Sequence, residues 1–183
     1  IPELVLLFGY LILIGPLRAK YWPECPVSRG EVSSFLSAWL LLFLAEHSPL
    51  HVLSEDYSFT AHMVQHLLFM LVIPPLFIAG IPAWVFEKFV LRHTIGLVAL
   101  RTATNPAVAF VAFNMALVLW HSPEMYDLAL RVHNVHLLEH VTLLLSGILG
   151  WWTFRSKVNA FPRLPSGLQM LYLFVMSIPM GFL

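Results

Sequence analysis

Residues 60–82 of the chain read T-A-H-M-V-Q-H-L-L-F-M-L-V-I-P-P-L-F-I-A-G-I-P, an apolar segment long enough to cross a membrane. The segment carries His62 and His66 four residues apart, and on a helix this spacing places both rings on one face. Ionisable groups inside a membrane are costly and by default indicate a functional site. Pro74 and Pro75, near the other end of the segment, predict a break in the helix. The first prediction is therefore a membrane helix with a functional histidine pair.

The composition of the whole chain is that of a membrane protein. Of its 183 residues, 59% are hydrophobic and 11% are charged, whereas a soluble domain has about 25% charged residues. The formal net charge is zero, which gives no reason to expect nucleic acid as a partner. A single cysteine, Cys25, excludes a disulfide or a cysteine-based metal site within one chain.

The apolar residues fall into blocks separated by short polar clusters, which predicts an all-α, polytopic helical membrane bundle. We expect one integral-membrane domain over residues 1–183, with an amphipathic segment at 83–100 lying in the membrane interface. The last block reaches the end of the sequence without a polar exit, so a seventh span is expected beyond it. The six predicted spans are residues 4–17, 32–53, 58–80, 105–121, 134–154 and 167–183.

The basic residues predict the orientation of these spans. Lysine and arginine in short loops concentrate on the cytoplasmic side. The connections after the first, third and fifth spans hold three basic residues each, whereas those after the second and fourth hold none and one. The N-terminus is therefore expected outside, with eight of the nine histidines near the outer face and nine of the ten basic residues on the inner side.

A second histidine pair, His136 and His140, repeats the four-residue spacing at the start of the fifth predicted span. Two such pairs at matching depth can surround one metal ion with three or four imidazoles, which suit copper, zinc, iron and nickel. Thioether ligands would favour Cu(I) if any reached the site. The candidate methionines are Met63, Met70, Met115 and Met125, and we interpret His47, His51, His93 and His133 as helix-end or interface residues.

Glu139 lies within this second histidine motif. The string His136-x-x-Glu139-His140 also matches the inverted zinc-protease motif, but its position at the outer end of a span does not favour a protease. We assign Glu139 to a different helix face from His136. It is expected to bond His121 or a neighbouring helix, or to bind the metal.

Four motifs together carry a resemblance to a known family. They are H-M-V-Q-H-L-L-F-M-L-V-I-P-P-L-F-I-A-G-I-P, W-H-S-P-E-M-Y-D-L-A-L, H-L-L-E-H and G-W-W. With these motifs the chain resembles, over most of its length, the CtaG family of multi-span cytochrome c oxidase assembly factors. The resemblance implies a non-enzymatic role in the maturation of a haem-copper oxidase in the bacterial plasma membrane.

The resemblance also implies a metal and its partners. Copper is the expected metal, and the implied ligands are His62, His66, His121, His136 and His140. The implied partners are the catalytic subunit of the oxidase, an outer-side copper donor protein and the lipid bilayer.

Three alternative functions remain open on the sequence. A haem-binding electron carrier would use one histidine from the third span and one from the fifth as axial ligands, and would show a Soret band. A di-metal membrane enzyme of the desaturase or hydroxylase kind also uses several histidines, but its clusters normally face the cytoplasm. A purely structural oxidase subunit would tolerate the loss of His62 and His66.

Overall fold

The computed structural model describes residues 2–56, 58–158, 161 and 163–182, and within these ranges every regular element is a helix. This confirms the all-α fold class. The ten helices are α1 (Pro2–Tyr21), α2 (Arg29–His47), α3 (Pro49–Asp56), α4 (Phe59–Gly80), α5 (Ala83–Phe89), α6 (Thr94–Ala103), α7 (Pro106–Trp120), α8 (Pro123–Arg131), α9 (His133–Arg155) and α10 (Ser166–Phe182).

Three of the helices, α1, α4 and α9, are long and apolar enough to cross a membrane. They correspond to the first, third and fifth predicted spans. Helices α6 and α7 meet these criteria only together, as a pair bent by 63°. The described part of the chain therefore holds three candidate spans, or four if the bent pair is one span, and six are not confirmed.

The second predicted span, residues 32–53, is wrong as a single helix. Helix α2 ends at His47, Ser48 is extended, and Pro49 begins α3. Proline disfavours helical geometry in the residue before it, which explains the break at Ser48. The last predicted span corresponds to α10, whose 17 residues leave it shorter than the three candidate spans.

Pro74 and Pro75 do not break α4, so that prediction is also wrong. A π-helical turn, Leu68–Val72, precedes them, and the helix continues to Gly80. The residues four and five positions after Met70 are both proline, so its carbonyl has no backbone donor there. The indole N–H of Trp151 on α9 donates to this carbonyl at 3.0 Å instead. A neighbouring helix thus satisfies the group that the prolines leave unpaired.

Helix α9 lies at the centre of the bundle because its glycines allow close packing. A Cβ atom on Gly147 would lie 2.8 Å from Cγ of Pro74 on α4. A Cβ atom on Gly150 would lie 3.1 Å from the ring of Phe113 on α7. Small residues let membrane helices approach closely. The close contact at Gly147 holds α4 and α9 side by side, running in the same direction.

Charged residues of three connections meet at one end of the bundle, which we call the basic end (Arg18, Lys88 and Lys157 with their partners). The Lys157 ammonium donates to Glu31 at 2.9 Å and to the Ala79 carbonyl at 2.6 Å. Lys88 lies 3.8 Å from Glu24. The sequence-based grouping of these connections on one side is therefore consistent with the fold. The histidine pair of α4 lies at the opposite end of that helix.

The outer surface of the bundle is apolar. Many large hydrophobic side chains are exposed, among them Ile95, Met170 and Val5 at 85%, 74% and 73%. Exposed apolar surface on this scale is rare in soluble monomers and is normal where lipid is the solvent. The fold is that of a membrane protein.

Candidate metal centre

The first turns of α4 and α9 carry the two predicted histidine pairs. Helix α4 begins after Ser58, whose hydroxyl accepts a hydrogen bond from the Ala61 N–H and so caps the helix. Within the pairs the ring centroids lie 4.2 Å apart for His62 and His66, and 4.1 Å apart for His136 and His140.

The two pairs face each other across the contact between α4 and α9. The rings of His62 and His136 lie 6.1 Å apart, and so do those of His66 and His140. All four side chains are buried. The structure therefore brings together four of the five residues that the sequence marked as metal ligands.

Glu139 lies between the two pairs, against the neighbouring helix α4, which is one of the positions expected for it from the sequence. Its side chain is 0% exposed. One carboxylate oxygen, Oε1, lies 3.3 Å from Nε2 of His66 and 3.9 Å from Nε2 of His62. The assignment of Glu139 to a different face from His136 was wrong, because residues three apart on a helix are neighbours. The motif H-x-x-E-H contained this signal.

Several polar atoms of this cluster have no hydrogen-bond partner among the described residues. They are both ring nitrogens of His62 and of His66, Nε2 of His140 and both carboxylate oxygens of Glu139. Leaving buried polar groups unpaired costs free energy, and a buried carboxylate costs most. Two sets have ligand atoms within 4.8 Å of one another: His62, His66 and Glu139, and His136, Glu139 and His140. These donor atoms fit a transition metal.

Helices α2 and α3 orient the cluster from outside. The Glu46 carboxylate accepts a hydrogen bond from Nδ1 of His140 at 2.9 Å, which directs Nε2 of that ring towards the cluster. The Gln65 amide donates to the Ala45 carbonyl at 2.6 Å and lies 3.2 Å from Nδ1 of His51. The ring of His51 lies 5.9 Å from that of His136. Sequence reasoning assigned no site role to Glu46 and interpreted His51 as a helix-end residue.

His121, the fifth predicted ligand, lies beside the cluster rather than within it. Its ring centroid is 5.5 Å from that of His66, and its Nδ1 lies 2.7 Å from the Leu117 carbonyl. Donation to this carbonyl leaves Nε2 as the metal-binding atom of the ring. His121 belongs to neither of the two three-residue sets.

A cavity of about 250 Å³ adjoins the cluster on the side of His121. Three methionines, Met63, Met70 and Met180, line it together with His66 and His121. Two of the four methionines singled out from the sequence thus reach the neighbourhood of the site, and Met180 joins them. Met115 does not, because it lies 60% exposed on the surface of α7.

The fold and this cluster define a class: a helical membrane protein with a buried histidine and glutamate cluster between two parallel helices. The family model of the cytochrome c oxidase caa3 assembly factors (Caa3_CtaG) matches residues 8–183, and the chain belongs to this family. Family membership indicates a membrane-associated assembly factor that interacts with cytochrome c oxidase, and it suggests a non-enzymatic role. Neither the curated proteins nor the solved structures compared with the chain include a match.

Proposed function

We propose that this assembly factor binds copper in the cluster and helps to place it in the catalytic subunit of a haem-copper oxidase. The observation that supports this most directly is the fully buried Glu139 carboxylate, surrounded by four histidines and without a hydrogen-bond partner among the described residues. A protein that keeps such unpaired groups in its interior loses stability unless a ligand uses them.

The proposed ligands are the four clustered histidines, with Glu139 added to the set that the sequence predicted. His121 is an accessory ligand at the edge of the cluster, since its Nε2 remains available beside His66. No cysteine takes part, because the only one is Cys25 at the basic end. A site of imidazole and carboxylate without thiolate suits release better than permanent storage.

The cavity beside His66 favours copper over the other metals that imidazole accepts. Thioether sulfur is a soft donor that selects Cu(I). Met63, Met70 and Met180 line the cavity that also includes His66 and His121. Copper supplies no bond-making chemistry here; it is cargo that moves by ligand exchange. The residues of the chain hold it, shield it from water and present it to the partner.

We also propose six spans with the N-terminus outside, in the bacterial plasma membrane. Helix α2, with 19 residues, is about 28 Å long and packs between α1 and α4. Tyr10 of α1 stacks on Phe35 of α2, and the Tyr10 hydroxyl donates to the Gly80 carbonyl of α4. With the basic end on the inner side, the cluster lies near the outer face, where a copper donor protein can reach it.

The copper site is tested by loading the purified protein in detergent with Cu(I) under anaerobic conditions and measuring retained copper by elemental analysis. Wild type is expected to retain copper, and His62→Ala/His66→Ala to lose at least half of it. His47→Ala/His93→Ala is the matched control, since both rings are exposed and lie outside the cluster. Wild type that retains no copper after loading would contradict the proposal.

The orientation is tested by labelling single cysteines in intact cells, in a Cys25→Ser background, with a membrane-impermeant maleimide. Glu124→Cys on α8 is expected to react from outside, and Ser166→Cys at the start of α10 only after lysis. Both positions are exposed, so accessibility to the reagent is matched. The reverse pattern would place the cluster on the cytoplasmic side.

A further inference from the structure

We propose that the cluster is a two-ion site in which the Glu139 carboxylate bridges two Cu(I) ions, each held by one histidine pair. The inference rests on the proposed copper site and adds its stoichiometry. The sequence predicts one ion among three or four imidazoles. The structure arranges the same histidines as two separate sets that share a single carboxylate.

The distances separate the two sets. Nitrogen ligands of one ion lie roughly 3–3.5 Å apart, since each is about 2.0–2.1 Å from the metal. Each pair reaches Glu139 within 4.8 Å, and among the described residues no set joins all four histidines at that distance. One ion per pair is the arrangement that this spacing favours.

Glu139 has the donor atoms that a bridge requires. Both of its carboxylate oxygens are buried, and neither accepts a hydrogen bond from any described residue. Oε1 faces the pair on α4, at 3.3 Å from His66 and 3.9 Å from His62. A carboxylate that served only to orient one histidine would accept a hydrogen bond from that ring, as Glu46 does from His140.

The charges at the cluster match two Cu(I) ions. Ligating histidines are neutral, and among the side chains that the structure describes, the carboxylates in contact with the cluster are those of Glu139 and Glu46. Two Cu(I) ions are balanced by these two carboxylates. Two Cu(II) ions would leave two positive charges uncompensated in a buried site, which is costly. One Cu(II) ion would also be balanced, so the number of ions bound under reducing conditions decides between the arrangements.

The test counts Cu(I) bound per chain in the full protein in detergent, under anaerobic conditions, after gel filtration. Wild type is expected to bind about two copper ions per chain. Removal of either pair alone leaves about one ion, and removal of both leaves none. The variants are His62→Ala/His66→Ala, His136→Ala/His140→Ala and the combination of all four, with His47→Ala as the control that keeps two.

The role of Glu139 as a bridge needs its own readout. X-ray absorption of the Cu(I)-loaded wild type is expected to show copper–copper scattering, and Glu139→Gln to lose it together with at least one ion. The neutral amide keeps the size of the side chain, and elution as a single monodisperse peak checks that the variant folds.

The outcomes separate this inference from the proposed function. About one copper ion per wild-type chain, abolished by loss of either pair, would overturn the two-ion site and support a single copper site. No copper in the wild type would overturn the proposed function itself. Two ions that Glu139→Gln retains, with unchanged copper–copper scattering, would overturn the bridge.

Discussion

The two ends of the bundle differ in the hydrogen bonding of their ionisable side chains. At the basic end the Lys157 ammonium satisfies both the Glu31 carboxylate and the Ala79 carbonyl, and Arg18 donates to the Cys25 carbonyl at 2.8 Å. At the cluster, Glu139 and the ring nitrogens of His62 and His66 have no hydrogen-bond partner among the described residues. Buried ionisable groups that form no hydrogen bonds lower the stability of a fold, and a metal ion that binds them would remove this cost.

Of the changes that distinguish the two ends, copper loading of the cluster is expected to have the largest effect on the stability of the protein. Copper at about a thousand times its dissociation constant would stabilise the wild type by about 4 kcal/mol, because only the folded chain presents the site. Thermal unfolding in detergent, with and without Cu(I), measures this shift.

The combined variant without the four clustered histidines serves as the comparison, and its unfolding temperature should not respond to copper. A shift as large as that of the wild type would mean that copper binds elsewhere on the chain.

Lys157→Met should destabilise the protein by about 1–2 kcal/mol, because it leaves the Ala79 carbonyl and the partly buried Glu31 carboxylate without this donor. The number of copper ions bound should not change, since the cluster lies at the other end of α4. Lys20→Met is the control, because Lys20 is exposed on α1. If Lys157→Met and Lys20→Met were equally stable, the hydrogen bonds of Lys157 would not stabilise the basic end, and its contrast with the cluster would be lost.

Glu139→Gln should raise the stability of the copper-free protein by about 1 kcal/mol. The change removes a buried carboxylate that has no hydrogen-bond partner among the described residues, and it keeps the size of the side chain. The same substitution should lower copper binding, so stability and binding change in opposite directions. Chemical unfolding in a metal-free buffer measures the first effect, and a loss of stability there would show that Glu139 is structural.

Much of this contrast was visible in the sequence. The four-residue spacing of each histidine pair fixes one helix face, and the basic residues fall in alternate connections. These two patterns predicted the four clustered histidines and the grouping of the basic connections.

Two features depended on packing between helices and were not predicted. The sequence could not show that a glycine on α9 would bring Pro74 close enough for the two pairs to share Glu139. Nor could it show that Trp151 would satisfy the carbonyl freed by Pro74, so a break was predicted where α4 is continuous. Both outcomes follow from contacts between residues more than seventy positions apart.

The hydrogen bond between Trp151 on α9 and the Met70 carbonyl of α4 is expected to contribute about as little as the change at Glu139. Trp151→Phe removes the indole N–H and leaves the Met70 carbonyl without its side-chain donor, at a cost of about 1 kcal/mol beyond the loss of ring size. Trp152→Phe is the matched control, because its indole nitrogen has no hydrogen-bond partner among the described residues.

Thermal unfolding of the two variants isolates that hydrogen bond. If Trp151→Phe also lowers Cu(I) affinity while Trp152→Phe does not, the π-helical turn before Pro74 positions His66, which lies four residues before Met70 on the same helix. If both variants behave alike, the turn is maintained by packing against Gly147, and the cluster depends on the close approach of α4 and α9 alone.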